Sequence, residues 1–281
     1  MRTVESVEEL REHVATWRAC RERVALVPTM GNLHAGHLAL VKHASDRADR
    51  VVVSIFVNPT QFGPEEDYGR YPRTLDADLA ALDGSACDLA FVPEVKTLYP
   101  FGPEQAVAIH VPGISGILEG ERRPGHFDGV STVVTRLFQM AQPDLAAFGE
   151  KDYQQLQVIR HLIRDLAMPV EIDGVPTVRE ADGLALSSRN QYLTPEERRA
   201  APELYHALCD LAARVEAGGR DFRKMESSAV ARLEKAGFRP EYVAVRRADL
   251  GEPGPGDRAL RVLAAARLGR ARLIDNVAAA G

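Results

Sequence analysis

Residues 24–57 read V-A-L-V-P-T-M-G-N-L-H-A-G-H-L-A-L-V-K-H-A-S-D-R-A-D-R-V-V-V-S-I-F-V. The first four are a short apolar run that ends at Pro28, the pattern of a buried strand. A loop with proline and glycine follows. From residue 36 to 48 the apolar spacing turns helical, with Leu38, Val41 and Ala44 on one stripe. Residues 51–57 are nearly all apolar and largely β-branched, as a strand covered on both faces should be. Strand, loop, helix and strand in this order form a βαβ unit, whose crossover is right-handed.

The same alternation extends outward. Upstream, residues 6–18 read as a helix: Val7, Leu10, Val14 and Trp17 recur at helical spacing, and Ser6 with Glu9 fits a capping box. Downstream, helices are expected at 73–82, 130–140 and 153–166, with Leu156, Ile159, Ile163 and Leu166 as the inner stripe of the last. Strands are expected at 89–92, 145–148 and 170–175. The result is an α/β fold, a doubly wound Rossmann-like parallel sheet over residues 1–176. Beyond it the character changes. Thr194-Pro195-Glu196-Glu197 combines a cap, an N1 proline and an N3 glutamate. A helix from there to 217 and another at 222–236 precede strands near 242–246, 261–268 and 273–276, broken by a Gly/Pro turn at 251–256. Helices followed by strands predict a smaller C-terminal α+β domain over 177–281.

The chain has 281 residues, 45% of them hydrophobic, enough for a full core. Its 40 acidic residues outnumber 35 basic ones, for a net charge of −5. That balance argues against a non-specific nucleic-acid binder. Cys20, Cys87 and Cys209 form no CxxC pair and suggest reduced thiols. The N-terminus lacks an apolar signal core, and the longest apolar runs are too short to span a bilayer. A cytoplasmic protein with no membrane association is expected.

Three loops carry the chemistry. The first, P-T-M-G-N-L-H-A-G-H (28–37), follows the first strand of the βαβ unit and opens its helix. Gly31 and Gly36 let backbone approach a phosphate, and the helix N-terminus favours an anion. His34 and His37, three apart, can face the same anion, and a protonated ring would add charge. A tight turn with two surface histidines is the plainer reading. A metal reading is weaker, because no third ligand is evident. The second loop is Gly149-Glu150-Lys151-Asp152, again at a strand end, where Lys151 supplies a mobile point charge suited to phosphate. By itself it could be an ordinary turn. The third is Ala185-Leu186-Ser187-Ser188-Arg189-Asn190, whose hydroxyls and guanidinium suit a triphosphate but which would otherwise pass for a polar linker. G-E-R-R-P-G-H (120–126) has Walker A glycine spacing without the Lys-Ser/Thr ending, and no GxGxxG follows a strand.

Together these loops resemble the nucleotidylyl-transfer superfamily related to class I aminoacyl-tRNA synthetases, in which HxGH and a later KMSKS-type loop bind ATP phosphates. The later loop here is S-S-R, without the synthetase lysines, which points away from tRNA enzymes. Longer stretches narrow the likeness: V-P-T-M-G-N-L-H-A-G-H (27–37), S-I-F-V-N-P-T-Q-F (54–62), Y-P-R-T (71–74), G-H-F-D-G-V-S-T-V-V (125–134), F-G-E-K-D-Y-Q-Q-L (148–156), G-V-P-T-V-R-E-A-D-G-L-A-L-S-S-R-N (174–190) and L-I-D-N (273–276). In this order and spacing they resemble the pantoate–β-alanine ligase family.

That resemblance implies ATP-dependent condensation of pantoate with β-alanine through an acyl-adenylate. It implies an ATP site lined by Met30, Gly31, Asn32, Leu33, His34, Ala35, Gly36 and His37, with both histidines acting on the phosphates and His37 as a charged hydrogen-bond donor. Gly149, Glu150, Lys151 and Asp152 would also meet ATP, Lys151 at the phosphates and Gly149 and Asp152 near the ribose. Val178 and Leu186 would lie toward adenine, and Ser187, Ser188 and Arg189 would close on the β- and γ-phosphates. His34, His37, Lys151, Ser187, Ser188 and Arg189 are thus the expected catalytic set. Gln61 and Gln155 would hold the substrate, with Asn58, Tyr71 and Arg123 as further pocket candidates. His126 could equally be structural. Mg²⁺ is expected on phosphate oxygens and water, with no protein ligand assigned. A homodimer and a lid role for the second domain complete the picture. Two other readings stay open: a nucleotidylyltransferase with a phosphate acceptor, which would want more Arg or Lys in the acceptor pocket, and an ATP-binding regulatory module without a second-substrate pocket.

Overall fold

The computed structural model describes residues 1–64, 66 and 68–280. The chain divides into two compact units, one of residues 1–150 and 158–176, the other of residues 151–157 and from 177 onward.

In the first unit the elements run β1 (Arg2–Val4), α1 (Val7–Ala19), β2 (Val24–Thr29), α2 (Ala35–Ser45), β3 (Arg50–Ile55), α3 (Leu75–Asp83), β4 (Leu89–Phe91), α4 (Val95–Leu98), α5 (Glu119–Arg122), α6 (His126–Ala141), β5 (Leu145–Gly149), α7 (Tyr153–Asp165, its residues up to 157 counted with the other unit) and β6 (Glu171–Val175). The six strands form a sheet in the order β1-β4-β3-β2-β5-β6, with every neighbouring pair parallel. Strand order reverses at β2, since β3 lies on one side of it and β5 on the other. Ligands in open α/β sheets bind beyond the carboxyl ends of the strands at such a switch point. The loops after β2 and β5 both leave the sheet there.

The continuous apolar runs are explained by burial on both faces. Val24 to Val27 and Val51 to Val53 are essentially inaccessible, and Val41 and Ala44 of α2 pack into the same cluster. β2 continues past the expected end at Pro28. Its ladder with β3 runs to Thr29, while the β5 ladder covers only Ala25 and Leu26. A residue without an amide hydrogen is therefore tolerated at 28. The Ser6–Glu9 capping box is present, with Ser6 Oγ accepting the Glu9 amide at 3.2 Å, and Leu10 and Val14 are the buried residues of α1.

Other boundaries differ from the sequence expectation. α2 stops at Ser45 and does not reach Ala48. α6 begins at His126, four residues early, because Gly125 in the left-handed region (φ 80°) turns the chain into it. Leu166, expected on the inner stripe of α7, lies beyond its last residue and is 51% exposed, because the chain turns away at Ala167 (φ 48°). β1, a three-residue edge strand, is too short to show periodicity.

The second unit contains α8 (Pro195–Ala200), α9 (Glu203–Glu216), α10 (Phe222–Lys235), β7 (Arg239–Arg247), β8 (Ala259–Leu268) and β9 (Ala271–Ala280). The strands form an antiparallel sheet in sequence order, and α9 and α10 cover it through Leu204, Leu208, Leu211, Val215 and Leu233. The helix expected over 195–217 is interrupted because Pro202 has no amide hydrogen for the carbonyl of Arg198. All three strands are longer than their apolar cores suggest.

Candidate active site

The loop after β2 is fixed by its own side chains and by one buried carboxylate. Thr29 Oγ1 donates to the Ser54 carbonyl at 2.8 Å and accepts the Gly31 amide at 3.3 Å. Gly31 (φ 81°) and Asn32 (φ 51°) both take left-handed backbone, a turn glycine makes at no steric cost and asparagine tolerates better than most. Asp78 of α3, 3% exposed, supports that turn: its carboxylate accepts the amides of Asn32 at 2.9 Å and Leu33 at 2.7 Å, and the Thr74 hydroxyl at 3.2 Å. A Cβ on Gly31 would lie 2.9 Å from its Oδ2, so glycine is needed for space as well as for φ.

His34 is the N-cap of α2. Its Nδ1 accepts the Gly36 amide at 3.1 Å, and Nδ1 of His37 accepts the His34 amide at 3.2 Å. The pair forms a capping box built from histidines, with ring centroids 4.1 Å apart. An amide pointed at Nδ1 requires a lone pair there, so each ring proton belongs on Nε2. In this arrangement Nε2 of each ring is the nitrogen that does not meet a cap amide. Protonating Nδ1 would remove the acceptor that closes the helix end. Ala35 and Gly36 form the first turn of α2, whose dipole favours an anion at its N-terminus.

Gln61 sits in a 3₁₀ turn, Pro59–Gln61, that follows β3. It is 8% exposed, its Oε1 accepts Asn58 Nδ2 at 3.0 Å, and its Nε2 donates to Met30 Sδ at 3.2 Å. The amide is thus tied to the start of the loop between β2 and α2. Asn58 is held by Tyr99, whose hydroxyl donates to Oδ1 at 2.7 Å, and by the Gly129 carbonyl at 3.2 Å. α6 passes so close that a Cβ on Gly129 would lie 2.6 Å from Gln61 Cα.

The backbone of Gln61 is anchored as well. Its carbonyl accepts from His126 Nδ1 at 2.8 Å and Arg123 Nη2 at 3.4 Å, and Arg123 Nη1 donates to His126 Nε2 at 3.0 Å. That pattern needs a neutral His126. Burial, then the neighbouring guanidinium, lowers its pKa to about 4. Arg123 also makes a bidentate pair with Glu66, both contacts at 2.6 Å. Burial raises the Glu66 carboxyl, but the Arg123 pairing outweighs it and the pKa is lowered. Arg123 and His126 are supports for Gln61. Tyr71 is buried.

The other expected residues are carried by two segments. Gly149 is the last residue of β5, and Glu150, Lys151 and Asp152 form a 3₁₀ turn. Lys151 Nζ lies 4.0 Å from Asp152 Oδ2. Residues 178–186 form a hairpin in which the Leu186 amide donates to the Val178 carbonyl at 3.0 Å. This places the two residues expected near adenine side by side. Ser187 then caps a second 3₁₀ turn, Ser188–Tyr192, by accepting the Arg189 amide at 3.2 Å. Lys151 and Ser187 line one small cavity with Asn190, Leu273, Ile274 and Asp275. Gln155 lies on the first turn of α7, partly exposed, and does not line it.

Sequence reasoning named Asn58 only as a pocket candidate, and it missed the support that Tyr99 gives Asn58 and that Asp78 gives the Asn32–Leu33 turn. Their partners are distant in the chain, and the only signal was polar residues inside otherwise apolar elements. Among the described residues, no group of three His, Cys, Asp or Glu is placed to hold a metal ion. No described helix is long and apolar enough to cross a membrane.

Comparison with known proteins gives the family. The family model described as pantoate-beta-alanine ligase matches residues 2–278. The chain is 58% identical to a pantothenate synthetase of Pseudomonas paraeruginosa, covering 99% of this chain and 98% of that protein. It is 57% identical to one from Halorhodospira halophila, covering 99% of each. The crystal structure of a Thermus thermophilus pantothenate synthetase superposes with a TM-score of 0.89 at 49% identity, covering 99% of both chains. A Francisella tularensis pantoate-beta-alanine ligase, complexed with beta-gamma ATP and beta-alanine, superposes with a TM-score of 0.82 at 33% identity, covering 99% of this chain and 97% of that one.

Proposed function

The chain belongs to the pantoate–β-alanine ligase family, and from that premise we propose how its own residues perform the family's reaction. The enzyme condenses pantoate with β-alanine to pantothenate at the expense of ATP. A carboxylate is a poor acyl donor because oxide is a bad leaving group. The pantoate carboxylate therefore attacks the α-phosphorus of ATP and pyrophosphate departs. The amine of β-alanine then attacks the carbonyl of the pantoyl-adenylate, and AMP departs.

The observation that carries the assignment of roles is the histidine capping box at the switch point of the sheet. With both Nδ1 atoms accepting backbone amides, His34 and His37 each present an Nε2–H of fixed direction. Aimed at the phosphates, these donors stabilise charge as it moves toward pyrophosphate, without reorganising. Attack by a carboxylate on phosphorus needs no proton transfer, so His37 acts as a donor clamp. Met30, Gly31, Asn32, Leu33, Ala35 and Gly36 complete this part of the ATP site. Gly149, Glu150 and Asp152 serve the nucleotide, and Val178 with Leu186 serves adenine. Lys151, Ser187, Ser188 and Arg189 bind the β- and γ-phosphates.

Gln61 and Gln155 hold pantoate, whose hydroxyls and carboxylate call for groups that both donate and accept. The contacts of Gln61 to Asn58 and Met30 pre-set its amide. Mg²⁺ fits as an ion carried on phosphate oxygens and water, because the described residues offer no acidic cage and Asp78 already accepts two amides and a hydroxyl. Bound there, it would supply positive charge beside the leaving pyrophosphate. The enzyme is read as a cytoplasmic homodimer on family likeness.

The test is single-turnover adenylation by His37→Ala. Loss of one such donor is expected to slow the step about 10²–10³-fold, far more than the loss of its cap bond to the His34 amide weakens folding. An unchanged rate removes His37 from this role. In parallel, Gln155→Ala should weaken pantoate more than ATP, and equal losses would contradict its placement.

A further inference from the structure

The L-I-D-N segment at 273–276 is one of the stretches that resemble the family pattern. It lies in β9, where two adjacent polar residues are buried among apolar neighbours. Asp275 is 4% exposed and takes Arg179 in a bidentate pair, Nη1 to Oδ2 at 2.6 Å and Nη2 to Oδ1 at 2.9 Å. Arg179 spends its remaining reach on backbone, donating to the Gly183 carbonyl at 3.1 Å and the Asn276 carbonyl at 3.3 Å. The Tyr205 ring covers the guanidinium at 3.9 Å. A Cβ on Gly183 would lie 2.5 Å from that ring, so the hairpin turn and its aromatic cover are fitted to each other. Arg179 and Ala185 face each other across the hairpin, and Asn190 Nδ2 closes the following turn onto the Ala185 carbonyl at 3.0 Å. The chain that leads into Ser187, Ser188 and Arg189 is therefore fastened to β9 through Asp275.

The next residue fastens the other phosphate segment. Asn276 Nδ2 donates to the Lys151 carbonyl at 3.0 Å. Tyr153, two residues on, is held in the same unit by its hydroxyl bond to the Ala248 carbonyl at 2.8 Å and by Arg261 stacked 3.9 Å from its ring. Asp275 itself lines the cavity shared by Lys151 and Ser187. Two successive residues of one strand thus hold the two segments whose side chains, on the reading above, meet the triphosphate.

We infer that Asp275 and Asn276 are positioning residues for ATP: they fix the spacing between Lys151 and the Ser187–Arg189 turn, so that both reach one triphosphate at once. A strand hydrogen-bonded along its length is a rigid reference, and sites so supported hold geometry better than sites on loops alone. The inference rests on the ATP roles given to Lys151 and Ser187, and the experiment keeps the two apart.

The full-length enzyme is compared with Asn276→Ala, Asp275→Asn, Lys151→Ala and the double variant Asn276→Ala/Lys151→Ala, reading Tm, kcat, and KM for ATP and for pantoate. Asn276→Ala should raise the ATP KM at least fivefold, leave the pantoate KM within twofold, and melt close to the parent. In the Lys151→Ala background the same change should add less than twofold, because its effect passes through Lys151. An unchanged ATP KM in a folded Asn276→Ala overturns the proposal. So does a parallel rise in both KM values with a lower Tm, which marks a merely structural role. Asp275→Asn serves as the second probe if it remains folded, with the same ATP-selective pattern expected. Should Lys151→Ala leave the ATP KM and kcat unchanged, the ATP reading of the segment fails and the proposal falls with it. If Lys151→Ala is impaired while Asn276→Ala is not, only the positioning role is lost.

Discussion

Acidification should destabilise this protein in part through His126. Its ring holds the Gln61 carbonyl with Nδ1–H and accepts Arg123 at Nε2, a pattern only the neutral imidazole can make. Burial first, and the Arg123 charge second, lowers its pKa from 6.5 to about 4. Above pH 6.5 the ring is neutral in the folded and unfolded chains, and its contribution is fully present. Between 6.5 and 4 the unfolded chain takes up a proton that the folded chain refuses, so stability falls with pH. Below 4 both forms are protonated and the contribution is gone. At about 1.4 kcal/mol per pH unit, this window amounts to roughly 3 kcal/mol. The assay is urea unfolding at a series of pH values from 7 to 4, for the parent and for His126→Asn. The asparagine amide can still donate to the Gln61 carbonyl, and it does not titrate. Other carboxylates protonate in both proteins, so the difference between them isolates His126. That difference should shrink or reverse by about 3 kcal/mol between pH 7 and pH 4. A difference constant across the range would refute the argument that His126 is held neutral by its surroundings.

Further outcomes follow from the supports of the site. Asp78→Asn should cost about 1–3 kcal/mol, since one amide of the Asn32–Leu33 turn then faces an NH₂ group, and should raise the ATP KM; a melt and a KM at parent values would show that the turn holds itself. Gly129→Ala pushes a Cβ to 2.6 Å from Gln61 Cα, so overpacking of about 1–3 kcal/mol is expected with a weaker pantoate KM. A destabilised protein with unaltered pantoate KM would separate the α6 contact from substrate binding.

Much of this was legible in the sequence because the signals are local. The apolar runs at 24–27 and 51–53 identify strands buried on both faces, and Ser6 with Glu9 marks a helix start from residues three apart. The junction from β2 to α2 was legible too, since Gly31, His34, Gly36 and His37 stand together where a strand gives way to a helix. The state of the histidines was not. It depends on which backbone amide each Nδ1 meets, and the cap pairing of the two rings follows from backbone geometry alone. The supports of Gln61 were hidden for another reason. His126, Arg123, Tyr99 and Gly129 reach residues 58–61 only after α6 packs on the turn, and no spacing in the chain records that contact. Leu166 fitted the helical stripe of α7 but lies exposed past its end, because periodicity cannot see where the backbone turns. Pro202 was visible, yet the strong start at Thr194 and Pro195 suggested one helix where the missing amide makes two.

The central claim is that these loops activate pantoate as an adenylate before β-alanine takes part. The most direct measurement is ATP–pyrophosphate exchange with pantoate present and β-alanine absent. Label should move from pyrophosphate into ATP only when pantoate is supplied. Exchange that proceeds without pantoate, or that appears only once β-alanine is added, would contradict the account.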